Sequence, residues 1–282
     1  MASTFLYGEN VHANGIRQHF LRFGGRGTPL VLLPGVTSPA ITWGFVAERL
    51  GEKYDVYVID VRGRGLSEAS DALDYRIEAC AKDVSEFVVA IGLQHYALMG
   101  HSFGARIAIK TAVKYPSSGL ERMVLVDPPV SGPNRRPYPA KIDFYLDAIR
   151  QMARGDGYEA MRRFMPTWSD AHLRLRAEWL HTCNERAVVD AYNDFHQDDM
   201  HADLPFISVP TLLIAAGRGD VIRPDELDEI QRLTPGLATT WVPTAGHMIP
   251  WDDEAAFFSS LGDFLDVTRN TMPKAVPISA HR

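Results

Sequence analysis

Gly100-His101-Ser102-Phe103-Gly104 is the stretch of this sequence that decides the fold. It lies between an apolar run at residues 95–99, predicted as a β-strand, and a helical pattern at residues 103–115. A sharp strand-to-helix turn of this kind presents the serine hydroxyl at the carboxyl edge of a parallel sheet, and the flanking glycines relieve crowding in it. The stretch therefore predicts Ser102 as a nucleophile. The alternative is a glycine-rich turn with an incidental serine.

Short apolar runs and longer amphipathic stretches alternate on both sides of this turn. The predicted strands are residues 15–23, 30–33, 55–59, 95–99, 122–126, 211–215 and 239–242. The predicted helices of this part are residues 41–50, 80–91, 103–115, 224–233 and 253–265. This order is typical of an α/β protein with a mostly parallel central sheet and helices on both faces.

Residues 133–204 interrupt the alternation. They carry no strand signal and contain helical patterns at residues 141–152, 158–164, 170–182 and 186–195. We therefore predict an α/β core formed by residues 1–132 and 205–268, with an all-helical lid inserted at residues 133–204. Residues 269–282 are predicted to be a loose tail, because they carry two prolines and little apolar periodicity.

His247 is the histidine best placed to activate Ser102. It follows the last predicted strand, in Ala245-Gly246-His247, and precedes the last predicted helix. In a doubly wound sheet this loop returns to the same carboxyl edge as the serine. His101 is adjacent to the serine, but its side chain diverges from it, and we interpret it as a buried structural histidine.

Two aspartates are candidates for the acid that orients the imidazole. Asp127 ends one predicted strand, and Asp220 follows the next one. Either carboxylate could reach the histidine and hold its tautomer. Position alone favours Asp220, which is the commoner place for the acid in such a sheet, while each residue could instead be an ordinary turn carboxylate.

An attacked carbonyl also needs hydrogen-bond donors for its developing negative charge. The backbone N–H of Phe103, directly after the serine, is one candidate. The N–H of Val36 is the second, because it follows an early strand and Gly35 permits a close approach of the backbone. We predict that these two groups form an oxyanion hole.

Composition and charge exclude several classes of function. The net charge of −6 provides no basic face for nucleic acid or an anionic membrane. No apolar run is long enough to span a bilayer, and residues 1–20 lack the pattern of a secretory signal. Cys80 and Cys183 are far apart and fit no metal-ligand spacing. We expect a cytoplasmic protein with reduced thiols, a small-molecule substrate and neither a metal nor an organic cofactor.

Four longer stretches resemble one enzyme family, the N-formylmaleamate deformylases of the α/β-hydrolase superfamily. They are TSPAITWGFV at residues 37–46, VLVDPPVSG at residues 124–132, RAEWLHTC at residues 176–183 and AGHMIPWDD at residues 245–253. The broader resemblance to the superfamily covers residues 15–265. It implies hydrolysis of a formyl amide to formate and maleamate, a step of aerobic bacterial nicotinate breakdown.

The resemblance also implies which aspartate is the acid. Asp127 matches the acid of that family, whereas the position of Asp220 need not be acidic there, so its carboxylate is a departure from the pattern. An esterase, a carbon–carbon bond hydrolase or a small-molecule receptor with little turnover could share the same serine and histidine.

The predicted lid contains residues that could contact a substrate. It holds nine arginines and one lysine, any of which could pair with a substrate carboxylate, although twelve acidic residues in the same span suggest that most are surface charges. Trp168, Trp179 and His181 are further candidates for substrate contact. For the tryptophans, packing in the interior is the competing interpretation.

Overall fold

Eight strands form one sheet at the centre of the computed structural model, which describes residues 3–266. The strands are β1 (Phe5–Ala13), β2 (Ile16–Phe23), β3 (Pro29–Leu33), β4 (Asp55–Ile59), β5 (Tyr96–His101), β6 (Leu120–Val126), β7 (Thr211–Ala216) and β8 (Ala238–Val242). Their spatial order is β1-β2-β4-β3-β5-β6-β7-β8. The predicted loose tail at residues 269–282 lies outside the described residues.

The sheet is mostly parallel. β2 runs antiparallel to both β1 and β4, and every pairing from β4 through β3 and β5 to β8 is parallel. The carboxyl ends of β3, β5, β6, β7 and β8 therefore meet at one edge. The predicted fold class, a mostly parallel sheet combined with helices, is confirmed.

Within residues 3–266, eleven α-helices accompany the sheet. They are α1 (Gly44–Leu50), α2 (Ile77–Ala90), α3 (Phe103–Lys114), α4 (Ile142–Ala153), α5 (Gly157–Met161), α6 (Asp170–Trp179), α7 (Glu185–Gln197), α8 (Met200–Asp203), α9 (Pro224–Leu233), α10 (Ile249–Asp252) and α11 (Glu254–Leu261). Helices α4 to α8 all lie between β6 and β7, and we call residues 133–204 the helical insertion.

The central strands are buried along their whole length. All residues of β5 and β7 and four of the five residues of β3 are buried. Because successive side chains of a strand point to opposite faces, this pattern means that both faces of the sheet are covered. Continuous apolar runs such as Leu30 to Leu33 are the sequence signature of such strands.

Several elements differ from the sequence prediction. β1 was not predicted, because this edge strand exposes nearly all of its residues and contains Gly8, Glu9 and Asn10, which are poor strand formers. The last predicted helix, residues 253–265, is observed as α11, which begins after Asp253, whose φ of −153° is extended and whose side chain accepts the N–H of Ala256. The short helix α10 directly before it was not predicted. Within residues 3–266, no helix is both long enough and apolar enough to cross a membrane.

Candidate active site

Ser102 occupies a strained turn between β5 and α3. Its φ of 54° lies in the left-handed region that L-residues rarely adopt. The two glycines make this turn possible, since a Cβ on Gly100 would lie 2.3 Å from the carbonyl oxygen of Gly104. A Cβ on Gly104 would lie 1.9 Å from the carbonyl oxygen of Leu33. The turn thus needs glycine on both sides of the serine.

Ser102, His247 and Asp127 form one line of hydrogen bonds. His247 Nε2 lies 2.9 Å from Ser102 Oγ, and His247 Nδ1 lies 2.7 Å from Asp127 Oδ2. A carboxylate only accepts, so Nδ1 carries the proton and Nε2 is free to accept the serine proton. The arrangement can turn a serine hydroxyl into a nucleophile.

Asp127 is fixed by its own backbone and by β7. Its carboxylate is fully buried, its φ is 47°, and Oδ1 accepts the N–H of Ala216 at 3.2 Å. Position alone favours Asp220 as the acid, but its carboxylate is hydrogen-bonded to Arg223 and not to His247. Asp220 is 54% exposed and accepts hydrogen bonds from Arg223 at 2.7 and 3.0 Å. The turn at Gly219 passes beside Asp127, and Asp220, the next residue, lines the cavity beside Ser102 without a hydrogen bond to His247.

The two predicted oxyanion donors lie on opposite sides of Ser102 in the sequence. Phe103 is the first residue of α3, so its N–H belongs to the unpaired end of that helix. Val36 follows Gly35, where an added Cβ would lie 3.5 Å from Ser102 Cβ. The buried Arg64 donates from Nε to the carbonyl of Val36 at 3.0 Å and so fixes the following peptide.

His101 supports the loop that carries His247. Its Nε2 lies 2.9 Å from the carbonyl oxygen of His247, and its ring lies 4.8 Å from the His247 ring. A carbonyl accepts, so His101 Nε2 is protonated and Nδ1 is not. Burial lowers the pKa of His101 to about 3, with a smaller contribution from the neighbouring His247. The residue is therefore neutral and buried, in agreement with the structural interpretation.

Sequence reasoning missed Asp252, which also fixes this loop. Its Oδ2 accepts the N–H of Gly246 at 2.8 Å, and its Oδ1 accepts the hydroxyl of Thr167 at 3.0 Å. One carboxylate thus connects the histidine loop with the helical insertion. The spacing from Gly246 to Asp252 within the AGHMIPWDD stretch was the available signal.

A cavity of about 410 Å³ opens beside the serine. Its lining combines Ser102 and His247 with side chains of the helical insertion, including Tyr138, Tyr145, Trp168 and Arg176. Trp168 stacks on Trp251 with ring centroids 5.0 Å apart. A concave, mostly apolar space with a few polar groups is typical of a site for a small molecule.

Two of the predicted lid candidates lie elsewhere. Among the described residues that line the cavity, neither Trp179 nor His181 appears. α6 ends at Trp179 and continues as a short 3-10 helix at Leu180–Thr182, which buries Leu180 and leaves His181 exposed.

The remaining chemistry-bearing groups do not form a metal site. Over residues 3–266, no cluster of three or more His, Cys, Asp or Glu side chains could hold an ion. Cys80 and Cys183 are both free and buried. Burial raises the pKa of each thiol to about 12, so both are protonated at neutral pH.

Comparisons with known proteins find a matching family and closely similar sequences. A model of the α/β hydrolase fold family matches residues 28–254. The N-formylmaleamate deformylase of Pseudomonas putida is 58% identical over 264 residues, which cover 94% of this chain and 98% of that protein.

Solved structures agree with the sequence comparison. The crystal structure of an N-formylmaleamic acid deformylase from Pseudomonas putida S16 superposes with a TM-score of 0.87 at 51% identity, covering 90% of this chain and 100% of that one. The E-2-(acetamidomethylene)succinate hydrolase has a TM-score of 0.77 over 93% of this chain and 100% of its own. At 20% identity, that second likeness concerns the fold alone.

Proposed function

The chain belongs to the α/β-hydrolase family, and from that premise we propose that it is a serine hydrolase that removes the formyl group from N-formylmaleamate. Its products are formate and maleamate, and the bond cleaved is the C–N bond between the formyl carbon and the amide nitrogen. The 58% identity to an N-formylmaleamate deformylase over nearly the whole chain supports this substrate.

The observation that carries the proposal is the unbroken line from Asp127 through His247 to Ser102. The two contacts, 2.7 and 2.9 Å, are within hydrogen-bonding distance. The line ends at the cavity, so the nucleophile faces the space that a substrate would occupy. We assign Ser102 as nucleophile, His247 as general base and Asp127 as the acid that orients it.

In the first half-reaction, Ser102 Oγ attacks the formyl carbon while His247 Nε2 takes the serine proton. Asp127 stabilises the imidazolium that forms. The tetrahedral intermediate places its negative charge on the former carbonyl oxygen, where the N–H groups of Val36 and Phe103 are proposed to bind it. The C–N bond then breaks, and the imidazolium gives its proton to the leaving nitrogen, so maleamate departs.

The second half-reaction repeats these steps with water. His247 takes a proton from a water molecule, whose oxygen attacks the formyl ester on Ser102. The ester bond to Oγ breaks, His247 returns the proton to Oγ, and formate leaves. The leaving group of the first step is an imide nitrogen between two carbonyl groups, which departs more readily than an ordinary amine.

The helical insertion is proposed to act as the lid over this chemistry. It supplies Tyr138, Tyr145 and Trp168 to the cavity wall, opposite the loops of the sheet edge. We also propose a cytoplasmic location, in keeping with the free thiols of Cys80 and Cys183.

The test is formate release from N-formylmaleamate by the purified protein, with no metal added. The Ser102→Ala variant should lose turnover by at least about 10,000-fold, because it lacks the nucleophile. A serine-directed fluorophosphonate labels the wild type and not the variant if the histidine activates Ser102. Labelling of Ser102 without formate release would leave a hydrolase and overturn the deformylase, and esters would then be the next substrates. Near-wild-type turnover by Ser102→Ala would overturn the mechanism itself.

A further inference from the structure

Arg176 is the one lysine or arginine among the described residues that line the cavity. It lies on α6, and only 4% of it is exposed. Its Nη1 donates to the carbonyl oxygen of Thr37 at 3.2 Å, and its Nη2 lies 3.0 Å from the Thr37 hydroxyl. Its Nε is buried and has no hydrogen-bond partner within the described residues.

Most other arginines of this region have an ion-pair partner or a full set of hydrogen bonds. Six arginines of the helical insertion lie within 4.0 Å of a carboxylate, namely Arg135, Arg136, Arg150, Arg154, Arg162 and Arg186. The buried Arg64 has no carboxylate, but its Nε, Nη1 and Nη2 donate to three backbone carbonyls. Across residues 3–266, Arg176 forms no ion pair, and unlike Arg64 it keeps an unused N–H.

A buried guanidinium without a counter-charge is unfavourable. The lost hydration of a buried ion destabilises the fold unless an opposite charge offsets it. Burial lowers the pKa of Arg176, yet arginine stays protonated in proteins. An anion that enters the cavity would supply the missing counter-charge, and the planar fork of the guanidinium matches the geometry of a carboxylate.

We propose that Arg176 binds the carboxylate of the substrate and thereby makes the enzyme selective for anionic formyl amides. This inference rests on the proposed function, because N-formylmaleamate carries its carboxylate at the end remote from the formyl group. Thr37 positions the guanidinium from one side. The ring of Trp168, whose centroid lies 5.6 Å from the guanidinium carbon, covers it from another.

Arg176 lies where binding of the substrate carboxylate would also affect the position of the formyl group. Thr37 directly follows Val36, whose N–H is the proposed oxyanion donor, so one short loop holds both the guanidinium and that donor. Arg176 and Ser102 also line the same cavity. Binding of the carboxylate at Arg176 would therefore orient the formyl carbon toward the serine.

The kinetic test compares N-formylmaleamate with N-formylisocrotonamide, in which a methyl group replaces the carboxylate. We expect the wild type to prefer the anion by at least about 100-fold in kcat/KM, since a site built for a charged group rejects a substrate lacking it. In Arg176→Met the preference should fall to within about threefold of unity, mainly through KM. Arg174→Met is the matched control, because Arg174 is on the same helix but exposed over Tyr158.

Two further measurements distinguish carboxylate binding by Arg176 from a purely structural role of this residue. Arg176→Lys keeps the charge without the fork, so its preference should be intermediate and its unfolding midpoint close to that of the wild type. Calorimetric titration of the Ser102→Ala protein with maleamate and with isocrotonamide measures binding without turnover. We expect Arg176→Met in that background to weaken the binding of maleamate by at least about 30-fold and to leave isocrotonamide unchanged.

The outcomes separate this inference from the proposed function. Formate release with an anion preference unchanged in Arg176→Met would overturn the role of Arg176 alone. An equal fall of kcat on both substrates would also overturn it, because that result assigns Arg176 to the oxyanion or to the fold. Binding of maleamate that depends on Arg176, without formate release from N-formylmaleamate, would overturn the deformylase and leave a carboxylate site.

Discussion

Backbone strain at single residues is concentrated at the reacting centre. Four non-glycine residues have positive φ within the described chain, and two of them, Asn14 and Asn134, are asparagines, which tolerate that conformation. The other two are Ser102 and Asp127, with φ of 54° and 47°. Each such residue costs about 1–3 kcal/mol, which the surrounding contacts must offset. The left-handed backbone at Ser102 and Asp127, which follow the adjacent strands β5 and β6, directs both side chains toward His247.

Replacement of the two candidate acids should give unequal results. Asp127→Asn keeps the shape but can no longer hold the imidazole tautomer or stabilise the imidazolium, so kcat for formate release should fall by about 1,000- to 10,000-fold. Asp220→Asn weakens the contacts of Asp220 with Arg223 and Arg136 in the cavity wall and leaves the acid that pairs with His247, so kcat should change by less than about tenfold. A larger loss from Asp220→Asn than from Asp127→Asn would reverse the assignment.

The glycine after the nucleophile should not tolerate a methyl group. In Gly104→Ala the new Cβ would meet the Leu33 carbonyl at 1.9 Å, so the backbone of α3 must move away from β3. We expect a loss of at least about 3 kcal/mol in the free energy of unfolding, measured by urea denaturation, together with loss of activity. Gly44→Ala is the control, because nothing lies within 4 Å of its added Cβ in α1. Equal stability of the two variants would contradict the close approach of α3 and β3.

At the scale of elements, α3 connects the nucleophile with the helical insertion. Arg106 Nη1 donates to the carbonyls of Pro129 and Ser131, at 2.8 and 3.0 Å, just beyond the segment that carries Asp127. One turn later, Lys110 Nζ lies 2.6 Å from a carboxylate oxygen of Asp198 and also contacts Asp203. The helix that follows the serine therefore holds both the segment leading into the insertion and the end of the insertion.

Lys110→Met should weaken this connection. The substitution leaves the buried Asp203 without its cation, whereas Asp198 keeps Arg106 at 3.0 Å. Removal of one partner of a buried pair costs about 3 kcal/mol. Urea denaturation should show this loss, and hydrogen exchange should rise first in α8. Arg150→Met, which breaks the exposed pair with Glu185, should leave the unfolding midpoint unchanged. An unchanged midpoint in Lys110→Met would show that the insertion is held by packing alone.

At the scale of the whole molecule, the sequence predicted what depends on local patterns. The strands with continuous apolar runs were located to within one or two residues, since burial on both faces leaves an unmistakable signature. The choice between Asp127 and Asp220 depends on how the chain turns after β7, which spacing does not encode. Arg176 likewise looks like any other arginine of the insertion until the fold shows that it is buried and unpaired.

Stability of the whole molecule should fall in mild acid because two histidines are buried in the neutral form. Burial lowers the pKa of His101 to about 3 and that of His201 to about 4, from 6.5 in each case. Below pH 6.5 the unfolded chain takes up these protons and the folded chain does not, so folding becomes less favourable as the pH falls. Each residue should cost on the order of 2 kcal/mol by pH 5. Asp83 and Asp194, whose pKa values burial raises, act in the opposite direction. Only a difference in pH dependence between the wild type and a variant therefore isolates the effect of one histidine.

The variant His201→Leu is the informative comparison with the wild type, because both buried ring nitrogens of His201 lack hydrogen-bond partners among the described residues. The free energy of unfolding of this variant, measured between pH 7.5 and 5, should fall less steeply than that of the wild type by about 2 kcal/mol over the range. Parallel curves for the two proteins would mean that His201 is protonated in the folded state, in contact with water.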